Sequence, residues 1–402
     1  MKRILILSPG SPCRNPRPVK EADALGRAGY DVTLLTASES PALDAQEKTL
    51  TAGAPFRHES VDRAVGSGRN FLRRLRWQLA VKSTAAGFET LHALGHVSSL
   101  RARAFALPAD LTIVHNELCH WIGCDLLQTG RRVAADFEDW HSEDLLPAER
   151  SGRPLARMRA LERQLLHTAA YTATTSAALS AALARRYACP APFVLTNSFP
   201  LQPDPRSVPT GEPPAFFWFS QTIGPGRGLE EFCAAWKRTT NPSRLVLLGA
   251  ERPGYNRHLL SLLPDSFRPR VTFLPLVTNG ELPGVIARHD IGLALEQSFI
   301  VNRDLTITNK ILQYLNAGLA IVATPTAGQR EVLAHAPGAG RLIDLGSPAK
   351  TAALLDELTG QREDLVTAQR CARAGAESTY CWEREAPRLL DLVERTLASQ
   401  TA

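Results

Sequence analysis

The 402-residue sequence has no long apolar run, and its start is not expected to be a secretory leader. A membrane-spanning helix needs roughly 20 consecutive apolar residues, and no run approaches that length. The first apolar run, Ile4 to Leu7, is shorter than the roughly 7–15 residues of a signal core, and no small-residue cleavage site follows it. We therefore expect a cytoplasmic protein in which this run is a first buried strand.

Paired cysteines are also lacking. The seven cysteines are scattered singly, their number is odd, and no CxxC pair occurs. A disulfide framework or a zinc ribbon needs paired spacings. We expect reduced, mostly buried thiols and no metal bound by them.

The second half of the chain has no net charge. Residues 1–200 hold 25 Lys and Arg against 19 Asp and Glu, so the whole net charge of +6 lies there. Much of it falls in the basic segment 69–82, which interleaves basic and apolar side chains: Arg69, Arg73, Arg74, Arg76 and Lys82 with Phe71, Leu72, Leu75, Trp77 and Leu79. Such a helix either lies on an anionic membrane surface or is a solvated helix face. No nucleic-acid module surrounds it, so nucleic acid is not an expected partner.

Strands alternate with helical patterns in the first half. RILILS, DVTLLTA, LTIVHN and RVAADF are short apolar runs, and stretches of helical length separate them. This alternation favours a parallel, doubly wound sheet covered on both faces. Around residue 197 the texture changes to a proline-dense stretch that cannot pack as a helix or a central strand.

After that stretch the alternation starts again. We predict an α/β protein with two Rossmann-like domains that face each other across a cleft between the carboxyl ends of their sheets. The N-terminal domain covers 1–196, a Pro-rich linker 197–214, the C-terminal domain 215–380 and a closing helix 381–402.

The stretch TITNKILQYLNAGLAIVATPTAGQRE carries the most informative pattern of the second half. Thr308 or Asn309 can cap a helix with Lys310 in its first turn. A cation there opposes the helix dipole by about 0.3–1 kcal/mol, unless a phosphate occupies the helix end. Asn309, Gln313 and Asn316 form a polar stripe suited to sugar or ribose hydroxyls. The alternative is a frayed first turn with a solvated lysine.

A glycine loop in FSQTIGPGRGLEEF is the second candidate. Gly224, Gly226 and Gly228 lie between a strand and a helix, with Arg227 among them. Glycine allows a backbone to approach a diphosphate closely, and an arginine can bridge its oxygens. The loop is not the dinucleotide motif G-x-G-x-x-G, because its third glycine comes one residue early. The alternative is a loop that only turns the chain.

With these segments the chain resembles the glycosyltransferase-B superfamily, and most closely its family 4 of nucleotide-sugar-dependent, retaining enzymes. The resemblance runs almost end to end and is strongest in NPRPVKEADALGRAGYDVTLLTA, ADFEDWHSED, GPGRGLEEF and DIGLALE through the helix of Lys310. It implies that Arg227 and Lys310 bind the donor diphosphate. It also implies a metal-independent reaction with the nucleotide-sugar as co-substrate and with no resident cofactor.

One family feature is missing. Family 4 members commonly carry two glutamates separated by seven residues, and Leu305 and Gln313 stand at those positions. Gln313 can still bond a ribose hydroxyl, though less strongly than a charged acceptor. Glu296 and Asp304 are the nearest acidic residues, and Glu296 is a candidate catalytic group.

Acidic residues and a histidine crowd the turn FEDWHSED in the first half. Similar enzymes place a histidine or an acid beside the transferred sugar at a related segment. The resemblance therefore makes Glu138, Asp139 and His141 candidates for acceptor contact or proton handling; the alternative is a cap for the next helix. Arg17, in the loop after the first strand, is a candidate ligand for an acceptor or a phosphate, or else a surface arginine.

The predicted function is glycosyl transfer in glycan biosynthesis, from a nucleotide-sugar to a glycan, a lipid-linked precursor or a small molecule. The alternatives are a nucleotide-sugar epimerase on the same fold and a non-catalytic paralogue that binds a nucleotide-sugar. A dinucleotide-dependent oxidoreductase is disfavoured by the missing glycine motif. The predicted location is cytoplasmic, with peripheral contact at the inner membrane face if the segment 69–82 binds lipid.

Overall fold

The computed structural model describes residues 1–61, 68–146, 149–203 and 212–399, with side chains from 71 onward after the first gap. The chain forms two compact units: Met1–Leu195 with Ala386–Ala402, and Thr196–Glu385. Part of the predicted Pro-rich linker, 204–211, lies outside the described residues, as does the side chain of Arg69. Within the described part of the chain, no helix has the length and apolarity to cross a membrane.

The first unit is built on a seven-stranded parallel sheet in the order β3-β2-β1-β4-β5-β6-β7. Its strands are β1 (Arg3–Leu7), β2 (Asp31–Ala37), β3 (Arg57–Val61), β4 (Leu111–His115), β5 (Val133–Phe137), β6 (Thr172–Thr174) and β7 (Phe193–Val194). Its helices are α1 (Pro16–Arg27), α2 (Pro41–Leu50), α3 (Gly68–Ala85), α4 (Ser98–Ala106), α5 (Asn116–Gln128), α6 (Leu155–Thr168) and α7 (Ala177–Tyr187).

Local sequence explains the start of this unit. Ile4 to Leu7 are almost fully buried, as expected of a parallel strand covered on both faces. α1 then begins with Pro16 at its first position, and the Asn15 side chain accepts a hydrogen bond from the backbone N–H of Arg17. This cap fixes the direction in which α1 leaves the carboxyl end of β1.

The second unit has a six-stranded parallel sheet in the order β10-β9-β8-β11-β12-β13. Its strands are β8 (Ala215–Ile223), β9 (Arg244–Glu251), β10 (Val271–Leu274), β11 (Ile291–Ala294), β12 (Ala320–Ala323) and β13 (Gly340–Leu342). Its helices are α8 (Leu229–Trp236), α9 (Tyr255–Ser261), α10 (Leu282–Ile286), α11 (Val301–Leu305), α12 (Asn309–Asn316), α13 (Ala327–His335), α14 (Pro348–Gly360) and α15 (Arg362–Ser378).

Alternate residues of β8 supply the core on both faces of this sheet. Phe216 and Trp218 join one apolar cluster, and Phe217 joins the other with Tyr314 of α12. A Cβ on Gly292 of β11 would lie 2.3 Å from the Tyr314 ring, so only glycine lets α12 pack this closely on the sheet. The prediction of two parallel-sheet α/β halves is confirmed.

The predicted closing helix is α16 (Trp382–Ala398). Its residues from Ala386 onward belong to the first unit. There the Arg132 guanidinium donates to the Thr396 carbonyl at 2.6 Å, and Arg388 lies 5.1 Å from the centre of the Phe193 ring. The C-terminal part of α16 therefore stabilises the sheet of the first unit. All seven cysteines are free, and four of them are buried.

Candidate functional site

The strand order of the second unit marks the place where a ligand is expected. β8 and β11 are neighbours, and the chain leaves them toward opposite edges of the sheet. In open α/β sheets, ligands bind at the carboxyl ends of the strands at such a switch point. The glycine loop follows β8 and Glu296 follows β11, so both predicted segments meet there.

The loop after β8 lies directly against the segment after β11. Gly226 and Gly228 have φ angles of +71° and +75°, and Arg227 lies half-buried between them. A Cβ on Gly228 would lie 2.9 Å from the Leu295 carbonyl oxygen and 2.7 Å from Gln297 Nε2. Both the backbone angle and the lack of space therefore require glycine at 228.

Lys310 and Glu296 form an ion pair at the carboxyl ends of the strands of the second unit. Lys310 Nζ lies 2.8 Å from Glu296 Oε1, and the two side chains are 16% and 9% exposed. Gln329 Nε2 donates to the other carboxylate oxygen at 2.6 Å, and the Thr324 hydroxyl donates to the Glu296 carbonyl at 2.5 Å. Glu296 is thus fixed by its backbone and by its side chain, and it holds a cation at the first turn of α12.

Gln329 and Thr324 were not among the predicted site residues. Gln329 is completely buried, although it lies in the turn GQRE of the informative stretch. A buried amide needs hydrogen-bond partners, and here they are Glu296 and the Thr324 hydroxyl. The sequence does carry a signal for Gln329 as a site residue: this glutamine lies at the start of a helix that follows a buried strand.

The amino-terminal end of α12 is only partly as predicted. Thr308 stands at the N-cap position, but its hydroxyl makes no cap hydrogen bond, and this buried oxygen has no hydrogen-bond partner among the described residues. The Asn309 side-chain oxygen accepts from Asn197 Nδ2 at 2.9 Å, and Gln313 is half-buried. The prediction that Asn316 belongs to a ligand-facing stripe is wrong, because its buried amide bonds the backbone at 200–202.

Asp304 serves another helix. Its carboxylate accepts from the backbone N–H of Ala327, the first residue of α13, at 3.2 Å. Glu296 is therefore the acidic group that pairs with Lys310, while Asp304 stabilises a helix end.

A second group of charged residues lies at the carboxyl ends of β4 and β5 in the first unit. It consists of Arg17, Glu21, His115, Asp136 and Glu138, named here the charge cluster. His115 Nδ1 lies 2.8 Å from Glu138 Oε1, and its Nε2 lies 3.1 Å from Glu21 Oε2. Arg17 Nε lies 2.7 Å from Asp136 Oδ2 and 3.3 Å from Glu21 Oε1.

Arg17 is at the centre of this cluster and not at the surface. Its side chain is 1% exposed, and its Nη1 donates to the Leu195 carbonyl at 2.8 Å. Both interpretations of the sequence, a phosphate ligand and a surface arginine, place this guanidinium within reach of solvent. In the structure the guanidinium is instead buried among carboxylates: Nη1 donates to a backbone carbonyl, and Nη2 lies 2.7 Å from Asp136 Oδ2 but has no hydrogen-bond partner among the described residues. The interpretation as a surface arginine is therefore wrong.

The cluster does not suit a metal ion. Ligand atoms of Glu21, His115 and Asp136 lie within 4.8 Å of one another, as in many metal sites. The Arg17 guanidinium already supplies positive charge to Asp136 at 2.7 Å and to Glu21 at 3.3 Å. A divalent cation at the same carboxylates would be repelled by it.

Burial and pairing set the charges in the cluster. Burial disfavours the imidazolium of His115, but Glu21 and Glu138 outweigh it and raise its pKa to about 10. Burial raises the pKa of Glu138, but the His115 hydrogen bond and charge outweigh it and lower the value to about 2. For Asp136 burial outweighs Arg17, so its pKa is raised. His115 and Glu138 are therefore an ion pair at neutral pH.

The three predicted residues of the turn FEDWHSED divide between two groups. Glu138 belongs to the charge cluster, and at 12% it is the most exposed of those side chains. His141 Nδ1 lies instead 3.2 Å from Glu117 Oε2, and Arg153 also binds Glu117. Burial lowers the pKa of His141, but the charge of Glu117 and then that of the half-buried Asp139 outweigh it, so the pKa is raised. His115 itself was missed, although it ends a buried strand in the sequence.

The raised pKa of His115 predicts a pH-dependent stability. A pKa of about 10 in the folded chain, against 6.5 for the free side chain, gives stabilisation that is complete below pH 6.5 and is lost as the pH rises toward 10. We expect the thermal midpoint to differ most between wild type and His115→Gln at pH 6.5 and to differ less at pH 10. Scanning calorimetry at both values measures this, with exposed His258→Gln as the matched control. An equal difference at both values would contradict the ion pair.

A protein-family model matches part of the second unit. Residues 213–361 match the family model for Glycosyl transferases group 1. A search of curated protein sequences gives no significant match.

Solved structures match over nearly the whole chain. Sucrose-phosphate synthase from Thermosynechococcus elongatus is 15% identical, with 100% of both chains covered and a TM-score of 0.73. HepE of Anabaena in complex with UDP-glucose is 15% identical over 98% of this chain and 100% of its own, with a TM-score of 0.70. WaaG, a glycosyltransferase involved in lipopolysaccharide biosynthesis, is 14% identical over 97% and 99%, with a TM-score of 0.60.

The structural matches identify the fold, and the family model matches most of the second unit. The glycine loop, Glu296, Lys310 and Gln329 all lie inside the matched residues. Residues 213–361 therefore form a domain similar to the glycosyl transferases group 1 family, and the whole chain has the fold of the solved structures named above.

Proposed function

We propose that the protein is a retaining, metal-independent glycosyltransferase of the family 4 type, whose nucleotide-sugar donor binds the second unit. The observation that carries this proposal is the cation of Lys310 at the first turn of α12, which Glu296 holds next to the glycine loop. Lys310, Arg227 and the backbone N–H groups of the first turn of α12 and of the loop at Gly228 bind the donor diphosphate. Asn309 and Gln313 meet ribose or sugar hydroxyls.

The chemistry requires stabilisation of a leaving group. Glycosyl transfer develops positive charge at the sugar and negative charge on the departing diphosphate. Lys310, which Glu296 holds in place, stabilises that negative charge together with Arg227 and the helix end. Glu296 keeps Lys310 oriented before the donor binds and offers carboxylate oxygens to the sugar. In this role it substitutes for the two glutamates of the family, whose positions hold Leu305 and Gln313 in this chain.

UDP-sugars are the first donors to consider. HepE, with the same fold, has been solved with UDP, with UDP and glucose, and with UDP-glucose. In the first unit, Glu138, Asp139 and His141 are the proposed acceptor-side residues. The acceptor is a glycan, a lipid-linked precursor or a small molecule, and peripheral membrane contact through segment 69–82 suits the lipid-linked class.

The family match favours transfer over the epimerase and over a non-catalytic paralogue. Product analysis distinguishes the three. A transferase forms a glycosylated acceptor, an epimerase converts the donor without an acceptor, and a binding protein leaves both unchanged.

A nucleotide screen tests the donor site directly. We expect UDP and UDP-glucose to raise the thermal midpoint, since a ligand at 100 times its dissociation constant adds about 2.7 kcal/mol to the free energy of unfolding. Lys310→Ala should lose most of this shift, and exposed Lys350→Ala should keep it. A shift with GDP, ADP or dTDP in place of UDP would change the donor class. No shift with any of them would contradict the site.

A further inference from the structure

The solvent side of α3 is apolar. Phe71, Leu75 and Leu79 follow one another at four-residue spacing and are 70%, 41% and 57% exposed, and Leu72 beside them is 56% exposed. Residues four apart on a helix lie on the same face, so these side chains form one stripe. We call Phe71, Leu72, Leu75 and Leu79 the apolar stripe.

The opposite side of α3 is the one that packs on the protein. Ala80 and Thr84 are buried there, and Trp77 Nε1 donates to the Ala93 carbonyl at 3.0 Å. The helix is therefore anchored to its own unit by a small polar and aromatic face. The apolar stripe lies away from that anchor, whereas Trp77, although 47% exposed, lies on the anchored side.

Such a stripe is unusual for a soluble surface. Singly scattered apolar residues are normal on proteins, but contiguous exposed apolar patches mark interaction sites. Among the described residues, eleven large apolar side chains are exposed, and six of them lie in 71–88. These six are the apolar stripe, Trp77 and Phe88, which is 75% exposed. The exposure is concentrated in one segment, so a partner for that segment is required.

Basic side chains border the stripe. On a helical projection Arg74 and Arg76 fall on its two sides and Lys82 falls within its arc, and all three are exposed. No acidic residue occurs between Asp62 and Glu89 in the sequence. The partner must therefore combine an apolar interior with negative charge along its edge.

We propose that α3 docks on the surface of an anionic lipid bilayer and inserts the apolar stripe at the boundary of headgroups and acyl chains. Arg74 and Arg76 then reach lipid phosphates at the border of the inserted face, and the long side chain of Lys82 extends from within that face toward the headgroups. An acidic protein groove is less suited, because the stripe is convex and its charge lies on both flanks. This inference deepens the proposed peripheral contact and does not depend on transfer activity.

Flotation with lipid vesicles tests the docking. We expect the full chain to float with vesicles of phosphatidylcholine and phosphatidylglycerol, to float poorly with phosphatidylcholine alone, and to release as salt is raised. The variant Leu72→Ser/Leu75→Ser/Leu79→Ser should partition about a hundredfold more weakly, because it removes most of the inserted apolar area. Leu50→Ser, which changes a leucine 48% exposed on α2, is the matched control and should bind as wild type does.

A charge variant separates the two contributions. Arg74→Gln/Arg76→Gln/Lys82→Gln should weaken binding to the anionic vesicles about a hundredfold, since each basic residue near such a surface contributes about one factor of five. The control Arg27→Gln/Lys48→Gln/Arg238→Gln removes the same charge from exposed positions elsewhere and should retain binding.

Three results would overturn the proposal: no flotation of wild type, flotation that neither α3 variant reduces, or self-association of wild type that the serine variant abolishes while vesicles bind nothing. The third result would assign the stripe to a second copy of the chain. The UDP-dependent thermal shift should be the same in the α3 variants as in wild type, so a failure of docking and a failure of the donor site are distinguishable.

Discussion

Replacing Lys310 or Arg227 by alanine should lower kcat by at least about a hundredfold and leave the fold intact. Removing one preorganised donor to a developing negative charge costs about 10²–10³ in kcat. Lys310 acts at the first turn of α12, and Arg227 acts from a loop whose backbone touches the segment of Glu296. Lys310→Ala also leaves the largely buried Glu296 without its cation, so it should lower the thermal midpoint without ligand, whereas loss of the half-buried Arg227 side chain should change it little.

The measurement is steady-state transfer by purified variants, with Lys350→Ala as the control for loss of a lysine on the same unit. Both variants should lower kcat more than they raise the KM for the donor, since the charge on the leaving group grows toward the transition state. Turnover like that of wild type in both variants would remove Lys310 and Arg227 from the mechanism. A rise in KM alone would limit them to donor binding.

The fold and the segments that carry the proposed donor-side residues were predictable because their signals are local. Apolar runs separated by helical patterns define each strand, and a parallel sheet needs no further information to be inferred. Arg227 closely follows the end of β8, where a doubly wound sheet exposes its ligand edge, whereas Lys310 lies on α12, which comes after both β11 and α11. The Lys310–Glu296 ion pair joins residues that are only 14 positions apart, so this contact is also local in the sequence.

The charge cluster was not predictable because its contacts are distant in sequence. Arg17 meets Asp136 across 119 positions, and His115 meets Glu21 across 94. An arginine in a loop predicts solvent exposure on average, and nothing near Arg17 in the sequence announces buried carboxylates. The same holds for Asn316, whose amide bonds a backbone segment more than 110 positions earlier.

For α3 the sequence left two interpretations, and the structure distinguishes the faces of the helix. Basic and apolar residues alternate there in a way that suits both a membrane-bound helix and a solvated one. The exposed fractions show that the large apolar side chains of the stripe, and not only the charges, face solvent. A helix whose outward face is solely solvated should instead bury its large apolar side chains and expose its charged ones.

Removing Arg17 should be among the most destabilising single changes in the first unit. Arg17→Met leaves Glu21, Asp136 and Glu138 buried with only His115 to offset them, and it deprives the Leu195 carbonyl of a donor. Breaking a buried ion pair by removing one partner costs about 3–5 kcal/mol, because the remaining charge stays desolvated. Equilibrium urea unfolding, followed by tryptophan fluorescence, measures this loss.

Two further variants show whether the effect arises from charge or from packing. Arg27→Met removes an arginine of the same helix whose side chain is 72% exposed, and it should leave the unfolding midpoint nearly unchanged. Adding Asp136→Asn to Arg17→Met removes one unpaired carboxylate, so the double variant should be more stable than Arg17→Met alone. If Asp136→Asn destabilises equally with and without Arg17, the two side chains are not coupled, and Arg17 contributes only by filling space beneath the carboxyl ends of β4 and β5.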